Sequence, residues 1–379
     1  MIYISDLTKR ILMAAPCQFG VEGLVAGELR RMGAENVAAE NGRVLFEGGE
    51  DILVRANLSS RYSERICIVM GRFKAATFDE LFEGTKALPW ERWIGKADSF
   101  PVKGSSLCSK LHSVPDCQKI IKKAVVDRLS QKYSLGWFEE TGALHRINFI
   151  IMKDVVLLML DTSGASLHKR GYRRNGAAAP IRETLAAAMA DVAFVRSYSH
   201  VIDPCCGSGT ILIESALKAL NVAPGLRRSF VSEEWRTIPS EIWQSERTRA
   251  KDLIRRDAEF TACGYDINPE VIELARENAY KAGMSKRIVF EQRDIADFEP
   301  DGEKGVVVCN PPYGERLMDV ESARKIYRTM GERFIRRDGW SYAVITPDDQ
   351  FEHYFGRKSD KQRKLYNGTL QCRLYMYFK

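Results

Sequence analysis

A short apolar segment, Val306-Val307-Val308-Cys309, runs directly into Asn310-Pro311-Pro312-Tyr313. The apolar run predicts a buried strand, and the two prolines must end it, because proline lacks a backbone donor and has a fixed φ. The residue before a proline is also held extended. We therefore expect a rigid turn at the carboxyl end of a buried strand, which is where open α/β sheets bind their ligands.

This turn presents a side-chain amide, a backbone carbonyl and an aromatic ring. The amide oxygen of Asn310 and the carbonyl of Pro311 can each accept a hydrogen from an amine, and Tyr313 can stack on a planar ring. The set suits a flat base with an exocyclic amine. We therefore predict that the catalytic residues are Asn310, Pro311, Pro312 and Tyr313.

Three further segments place acids after strand-like runs. The first spans 203–210 and has two glycines, but it lacks the third glycine of the dinucleotide fingerprint and the Gly-Lys-Ser/Thr of a phosphate-binding loop. Its acid, Asp203, suits a positively charged amino group. Asp266 suits the two hydroxyls of a ribose, and Asp294 suits an adenine amine. Each segment alone is more often a plain turn or helix cap, but their order favours one shared site.

In this order, the four segments resemble the class I S-adenosylmethionine-dependent amino-methyltransferases. The resemblance implies S-adenosylmethionine as the cofactor. It also implies the cofactor-binding residues, which are Asp203, Cys205, Gly207, Ser208, Gly209, Thr210, Asp266, Ile267, Asp294, Ile295 and Asn310. We expect Cys205 and Cys206 to fill a tight loop rather than to act as nucleophiles, because no histidine or other base lies near them in the sequence.

Composition narrows the class of protein. Of 379 residues, 45% are hydrophobic and 28% charged, which is typical of a globular protein, and no apolar run has the length of a membrane span. Nine scattered cysteines, without a Cys-x-x-Cys pair or zinc-ligand spacing, favour a reduced cytoplasmic location and no metal. The net charge of +7 is compatible with a nucleic-acid partner.

The hydrophobic pattern predicts an α/β protein with three parts, 1–65, 66–162 and 163–379. Helices are expected over 19–29, 52–58, 78–88 and 115–129. Strands are expected over 44–48, 65–70, 99–103, 144–151 and 154–161, with the last two forming a hairpin that turns at Lys153-Asp154. Pro180 fits the first turn of a further helix.

The middle part resembles a THUMP domain, an RNA-binding module. The resemblance is carried by residues 99–107 and 118–129, and it implies phosphate contacts by Lys103, Lys119, Lys122 and Lys123. A basic run follows at 169–174, where Tyr172 and a glycine favour contact with a phosphate or base. We expect RNA contacts from Arg170 and Arg173 there, and a structural or phosphate-binding role for His168. Basic residues also cluster over 357–364.

One spacing departs from the simple nucleotide-binding pattern. Asp203 and Asp266 are 63 residues apart, whereas a ribose acid usually follows the glycine turn by about 20 residues. A helical insertion after the first strand and helix explains the difference. Its tryptophans, Trp235 and Trp243, are expected to pack inside the protein, although contact with RNA is an alternative.

Together with Asn310–Leu317, these parts make nearly the whole chain resemble the bacterial L-type large-subunit ribosomal RNA guanine-N2 methyltransferases. The resemblance implies a ferredoxin-like α/β unit, a THUMP domain and a C-terminal class I (Rossmann-like) methyltransferase domain. It implies methyl transfer to the N2 amine of a guanine in 23S ribosomal RNA. Some members carry a second methyltransferase domain, and we expect this chain to hold the guanine-N2 half alone.

Three alternatives stay open. The same chemistry on transfer RNA is one, since THUMP domains also occur in such enzymes. Adenine-N6 methylation of DNA is another, because adenine also presents an amine, although the THUMP-like part argues against it. The third is an RNA-binding scaffold without activity, which the intact site motifs disfavour.

Overall fold

The computed structural model of the chain describes residues 10–173, 181–313 and 319–378. The chain forms two compact units. The first contains residues 25–167 with the segments up to Cys17 and Ser229–Thr248, and the second contains Gln18–Leu24, His168–Arg228 and the chain from Arg249 onward. Two short segments, 18–24 and 229–248, therefore belong to a different unit from the residues that flank them.

The first unit is built on one seven-stranded sheet. In spatial order its strands are β2 (Glu35–Glu40), β3 (Arg43–Gly48), β1 (Ile11–Pro16), β4 (Cys67–Lys74), β7 (Val155–Asp161), β6 (Ile147–Met152) and β5 (Val102–Leu107). Neighbouring strands are antiparallel, except for the parallel pair β5 and β6. Strand β1 pairs with β4 through Met13–Ile68 and Ala14–Cys67. The strands expected in two separate parts thus share one sheet.

The helices of this unit lie close to their predicted positions. They are α1 (Glu22–Arg31), α2 (Glu50–Ser59), α3 (Phe78–Lys86) and α4 (Val114–Tyr133), with a 3₁₀ turn at Trp90–Arg92. The predicted hairpin between β6 and β7 is confirmed, and both Lys153 and Asp154 have positive φ as a tight hairpin turn requires. Strands β1 and β2 were not predicted, and β5 begins at Val102 because Ser99 makes only an isolated bridge to Leu144.

The segment Ser229–Thr248 supplies part of the first unit's core. Trp235 is buried, stacks on His145 with ring centroids 4.2 Å apart, and donates from its indole to the Leu144 carbonyl at 3.0 Å. Ser232 donates to the Thr162 carbonyl at 2.7 Å. Both Trp235 and Trp243 are buried, so the expectation that they pack inside the protein is confirmed.

The second unit has its own seven-stranded sheet. In spatial order the strands are β10 (Ile288–Gln292), β9 (Thr261–Asp266), β8 (His200–Asp203), β11 (Gly305–Cys309), β12 (Trp340–Thr346), β14 (Leu370–Tyr377) and β13 (Lys361–Asn367). The first five are parallel, and β14 is antiparallel to both of its neighbours. The chain order reverses between β8 and β11, and such a reversal opens a crevice at the carboxyl ends of the strands.

Helices cover this sheet and complete its core. They are α5 (Glu183–Val192), α6 (Thr210–Ala219), α8 (Pro269–Ala282), α9 (Val320–Arg333) and α10 (Phe351–Phe355), with a 3₁₀ turn at Ile295–Asp297. The 3₁₀ turn Val231–Glu234 belongs to the first unit, and α7 (Ser240–Asp252) begins in the first unit and ends in the second. Phe334 stacks on Tyr342, with ring centroids 4.9 Å apart, in an aromatic core cluster. None of the helices in the described ranges combines the length and apolar character that a membrane crossing requires.

Replacing Trp235 by alanine tests the contribution of the inserted segment to the first unit. Removing a buried tryptophan deletes its packing and leaves a cavity, so we expect a loss of about 3 to 5 kcal/mol in the free energy of unfolding. Trp137 lies in the same unit but is 81% exposed, and Trp137→Ala is therefore the matched control with little effect. Urea unfolding monitored by circular dichroism measures both, and equal midpoints for the two variants would contradict this account.

Glu28 makes the stability of the first unit depend on pH. Its buried carboxyl accepts from the Arg61 backbone N–H at 3.0 Å and contacts the Ser60 hydroxyl, and burial raises its pKa to about 7. Because the folded state holds this proton more tightly than the unfolded state does, Glu28 contributes its full stabilisation below pH 4.5, the ordinary pKa of this carboxyl in the unfolded chain. That stabilisation is lost as the pH rises through about 7, where the folded-state carboxyl ionises. We expect Glu28→Gln to remove about 3 kcal/mol of pH dependence across this window, measured by urea unfolding at pH 4.5 and 8. An unchanged difference between the two pH values would contradict the assignment.

Candidate active site

Three parallel strands bring the predicted site residues to one edge of the second sheet. Asp203 ends β8, Asp266 ends β9, and Asn310 directly follows β11. Because β8 pairs with β9 on one side and with β11 on the other, the carboxyl ends of all three strands point the same way. The structure thus brings together the acids and the amide that the sequence motifs singled out.

Asp203 is buried without a cationic partner among the described residues. Only 1% of its surface is exposed, and one carboxyl oxygen accepts the Cys205 N–H at 3.1 Å. Burial raises the pKa of Asp203 well above its usual range, and the nearby Asp266 raises it further. A ligand carrying a positive amino group would stabilise the ionised carboxylate.

The glycine turn between β8 and α6 is shaped for close approach. Gly207 and Gly209 both have positive φ, at +50° and +77°. A Cβ on Gly209 would lie 2.8 Å from the Phe290 ring, whereas a Cβ on Gly207 would meet no atom within 4 Å. Gly209 is therefore required for packing against β10, and Gly207 borders open space beside Asp266, to which it donates its N–H at 3.0 Å.

The remaining loop residues support this turn. The hydroxyls of Ser208 and Thr210 lie 3.1 Å apart and are buried, and the Ser208 carbonyl accepts from Asn278 at 3.0 Å. Burial raises the pKa of the Cys205 and Cys206 thiols well above their usual range. Because only the thiolate is a good nucleophile, these shifts agree with the expectation that both cysteines fill the loop. Asn278 was not singled out from the sequence.

The two outer acids keep acceptor capacity toward the crevice. Asp266 accepts one N–H on each oxygen, from Gly207 and from Asn268, both at 3.0 Å, which leaves a further lone pair on each oxygen. Its neighbour Ile267 is 68% exposed. Asp294 is exposed and caps the 3₁₀ turn containing Ile295 by accepting the Ala296 N–H at 2.8 Å.

The Asn-Pro-Pro-Tyr turn carries an unsatisfied acceptor. The side-chain oxygen of Asn310 is buried and has no hydrogen-bond partner in the described part of the chain. Leaving such a group unpaired is unfavourable, so a donor on a ligand would stabilise it. Tyr313 is largely buried, and its hydroxyl accepts from the Asn367 side chain at 2.8 Å. Residues 314–317 of this motif, and Pro180, lie outside the described residues.

The basic run at 169–174 does not form the predicted RNA contact at Arg170. Arg170 is buried, and its guanidinium lies 3.4 Å from Glu214, which also accepts from the Tyr172 hydroxyl at 3.0 Å. Glu214 sits in the apolar helix α6, where an ionised side chain needs a paired charge. The phosphate-binding prediction for Arg170 is therefore wrong, and the lone acid of that helix was the sequence signal for a partner.

Arg173 is also engaged inside the second unit. Its guanidinium lies 3.1 Å from Glu183 at the start of α5 and donates to the Ile181 carbonyl at 2.9 Å. It also donates to the Thr210 hydroxyl at 3.3 Å, which links it to the glycine turn. This pairing favours a supporting role at the turn over the RNA contact expected from the sequence.

The predicted basic residues of the first unit divide into two groups. Lys103, Lys119 and Lys123 are exposed. Lys122 is instead half-buried, pairs with Glu140, donates to the Phe100 carbonyl at 3.2 Å and lies 3.4 Å from the centre of the Phe100 ring. These contacts favour a structural role for Lys122, and its phosphate contact stays a prediction.

Comparison with known families agrees with the geometry. A sequence model described as the RMKL-like methyltransferase domain matches residues 170–376, which is more than half of the chain. The chain belongs to the RMKL-like methyltransferase family. Models of the RlmL ferredoxin-like domain and of the THUMP domain match residues 13–67 and 75–161. The predicted fold class, with a ferredoxin-like unit, a THUMP domain and a Rossmann-like methyltransferase domain, is thereby confirmed.

Two named relatives extend the comparison. YpsC of Bacillus subtilis (strain 168), whose name describes it as a candidate RNA methyltransferase, is 43% identical over 98% of this chain and 96% of its own length. The ribosomal RNA large subunit methyltransferase K/L of Syntrophotalea carbinolica is 35% identical over 96% of this chain. The chain spans about half the length of that relative, at 53%.

Solved structures share the whole fold. SMU.472, a candidate methyltransferase solved with S-adenosylhomocysteine, is 39% identical with a TM-score of 0.93 and covers 98% of this chain and 99% of its own. A Listeria monocytogenes protein described as a predicted N6-adenine-specific DNA methylase is 47% identical with a TM-score of 0.92, covering 98% and 96%. S-adenosylmethionine, predicted from the sequence, is the cofactor of this methyltransferase family.

The two glycines of the turn make separable predictions. Gly209→Ala would press a methyl group into Phe290, so we expect it to lower the melting temperature and to weaken binding of S-adenosylhomocysteine at least tenfold. Gly207→Ala meets open space, so its only structural penalty is that of positive φ, about 1 kcal/mol, while its methyl group occupies the ligand side. Gly207→Ala should therefore weaken binding of S-adenosylhomocysteine but change the melting temperature less than Gly209→Ala does. Calorimetry and thermal unfolding measure both, and full binding by Gly207→Ala would contradict the placement of the cofactor.

Proposed function

We propose that this protein is an RNA methyltransferase that transfers a methyl group from S-adenosylmethionine to the exocyclic N2 amine of a guanine in 23S ribosomal RNA. The observation that carries the proposal is the buried side-chain oxygen of Asn310 at the carboxyl end of β11, which has no hydrogen-bond partner among the described residues. An exocyclic amine supplies the hydrogen that this oxygen lacks. The second amine hydrogen would go to the carbonyl of Pro311.

These two acceptors would activate the amine. A guanine N2 nitrogen is a poor nucleophile, because its lone pair is delocalised into the ring. Hydrogen bonds to Asn310 and Pro311 favour a tetrahedral nitrogen and stabilise the positive charge that develops on it. Pro312 makes the turn rigid, and Tyr313 contacts the base, which must leave its stack to enter the crevice. The cofactor supplies the electrophilic methyl group, and orientation supplies much of the remaining rate enhancement.

The cofactor would lie along the carboxyl ends of β8, β9 and β10. Its amino group would pair with Asp203, whose burial favours a cationic ligand. Its ribose would use the remaining lone pairs of Asp266, with the exposed Ile267 and partly buried Ile295 on either side of the adenine. Cys205, Gly207, Ser208, Gly209 and Thr210 form the loop around the methionine part, and Asp294 would accept from the adenine amine.

RNA is the substrate class that the relatives and the first unit support. A THUMP domain model matches this chain, and K/L relatives carry a ribosomal RNA name. Lys103, Lys119 and Lys123 are exposed and available for phosphates. We propose that the part preceding residue 66 and the THUMP part, residues 66–162, present RNA to the domain over 163–379, and that the protein acts in the cytoplasm.

A second candidate function is adenine-N6 methylation. The description of the Listeria monocytogenes structure as a DNA methylase favours it, and the Asn310 and Pro311 acceptors fit an adenine amine equally well. Transfer RNA is the other alternative substrate, because a THUMP domain does not by itself choose between RNA classes. The nucleoside product and the nucleic acid that carries it distinguish all three.

The decisive experiment measures methyl transfer from labelled S-adenosylmethionine to 23S ribosomal RNA transcribed in vitro, to unmodified transfer RNA and to unmethylated DNA, followed by nucleoside analysis. We expect N2-methylguanosine in the ribosomal RNA. Asn310→Ala should reduce kcat at least about 100-fold, by analogy with the loss of one hydrogen bond that stabilises a transition-state charge.

The control is Gln350→Ala, which removes an exposed side-chain amide in the same unit and should leave activity and melting temperature unchanged. Asn310→Ala should keep its melting temperature, because the lost oxygen has no partner in the described structure. If N2-methylguanosine appears in transfer RNA alone, the substrate is transfer RNA and not ribosomal RNA. If N6-methyladenine appears in DNA alone, the protein is an adenine-N6 DNA methyltransferase and the proposed function is wrong.

A further inference from the structure

An aromatic pair, with one exposed and one partly buried ring, includes Tyr366, which precedes the residue that contacts Tyr313. Phe19 is 54% exposed and meets Tyr366 edge to face, with ring centroids 5.9 Å apart and planes at 63°. Tyr366 directly precedes Asn367, whose amide donates to the Tyr313 hydroxyl at 2.8 Å. Both aromatic rings belong to the second unit. The side chains of Tyr366 and Asn367 point to opposite faces of β13, because they are consecutive in a strand. Strands β13 and β12 are both antiparallel to β14, so the end of β13 that carries Tyr366 lies at the same edge of the sheet as Asn310.

The backbone beside Phe19 is fixed to β13. Gly20 has a φ of +91°, and a Cβ there would lie 2.5 Å from the carbonyl oxygen of Lys364. The Arg363 guanidinium donates twice to the Gly20 carbonyl, at 2.8 and 3.2 Å, and the Gly20 N–H donates to Glu22 at 2.8 Å. Only glycine allows this approach. The chain thus holds a large apolar ring in solvent through several specific contacts, although exposing such a ring is unfavourable.

Positive charge accompanies the aromatic pair. The Lys364 ammonium lies 5.5 Å from the centre of the Tyr366 ring, and Lys361 and Lys364 are both exposed on β13. These lysines belong to the basic cluster over 357–364, which the proposed catalytic and cofactor contacts do not use. Aromatic rings beside a cation are the combination that binds a single nucleotide, with the base stacked and the phosphate near the ammonium.

We propose that Phe19, Tyr366 and Lys364 form a subsite for an unpaired nucleotide that flanks the target base in the RNA substrate. The inference rests on the proposed function, because the occupant is part of that RNA. A target base that leaves its stack deprives its neighbour in the strand of a stacking partner. Phe19 and Tyr366 replace that partner, and Lys364 contacts the adjacent phosphate. The subsite lowers the free energy of the extruded conformation before methyl transfer.

Steady-state kinetics with in vitro transcribed 23S ribosomal RNA test the subsite. Loss of one stacking partner weakens binding by about 1 to 3 kcal/mol, so Phe19→Ala should raise KM for this RNA about tenfold or more. Phe19→Leu should behave like Phe19→Ala, because it keeps an apolar side chain without a stacking face. Phe19→Trp should stay within twofold of the wild type. Affinity for S-adenosylhomocysteine, measured by calorimetry, should not change in any of these variants.

A variant of Lys364 tests the phosphate contact, and a variant of a distant exposed tyrosine is the control. Lys364→Gln should reduce the salt dependence of RNA binding by about one phosphate contact. Tyr280→Ala is the matched control, since Tyr280 is 76% exposed on α8, which packs against β9 and β10 at the far side of the sheet from β13. It should leave KM and the salt dependence at wild-type values.

Two results would overturn the subsite alone. One is a Phe19→Ala variant whose KM for the RNA equals that of an active wild-type protein. The other is a Phe19→Ala defect seen only with ribosomal particles, which would assign this surface to a protein contact. Wild-type protein that methylates no RNA would overturn the proposed function and the subsite together. A raised KM in Phe19→Ala and Phe19→Leu, with recovery in Phe19→Trp, would establish the stacking contact.

Discussion

Strand β8 lies between β9 and β11 in the parallel part of the second sheet, and this position determines where the polar groups of the site can be. Strands β8 and β11 are mostly buried, so an acid or amide is best accommodated where these strands end. The reversal of chain order beside β8 separates the two loops that follow β8 and β11, which leaves room for a ligand between them. Within the described residues, Asp203 is buried there without a cationic partner, and the side-chain oxygen of Asn310 is there without a donor. Each lacks the partner that a cofactor or a base would bring.

The sequence predicts the site better than it predicts the surroundings of the site. Asp203, Asp266 and Asn310 could be predicted because each motif combines a strand-like apolar run with residues that must end it, and such local rules hold in the folded protein. Arg170 could not be interpreted correctly, because its partner Glu214 is 44 residues away and a basic run looks the same whether it faces solvent or an internal acid. Asn367, which binds the Tyr313 hydroxyl, is likewise brought close only by the sheet.

The first unit illustrates the same limit for the fold. Its helices were predicted from hydrophobic spacing, and the hairpin from its turn. Strand β2 alternates weakly and is mostly exposed, and β1 is a short apolar run without alternation, so neither had a clear pattern. The pairing of β1 with β4, which joins two predicted parts in one sheet, depends on contacts between residues more than 50 positions apart. Nor does any local rule assign the segment Ser229–Thr248 to this unit.

That assignment affects the order in which the protein can fold during synthesis. Domains generally fold from the N-terminus as they leave the ribosome. The first unit cannot bury His145 against Trp235 or complete its core until residue 248 has been made, by which time β8 and α6 already exist. Residues 18–24 can make their native contacts only later, because their partner strand β13 ends at Asn367. The nascent chain must therefore keep residues 18–24 available until β13 has been synthesised.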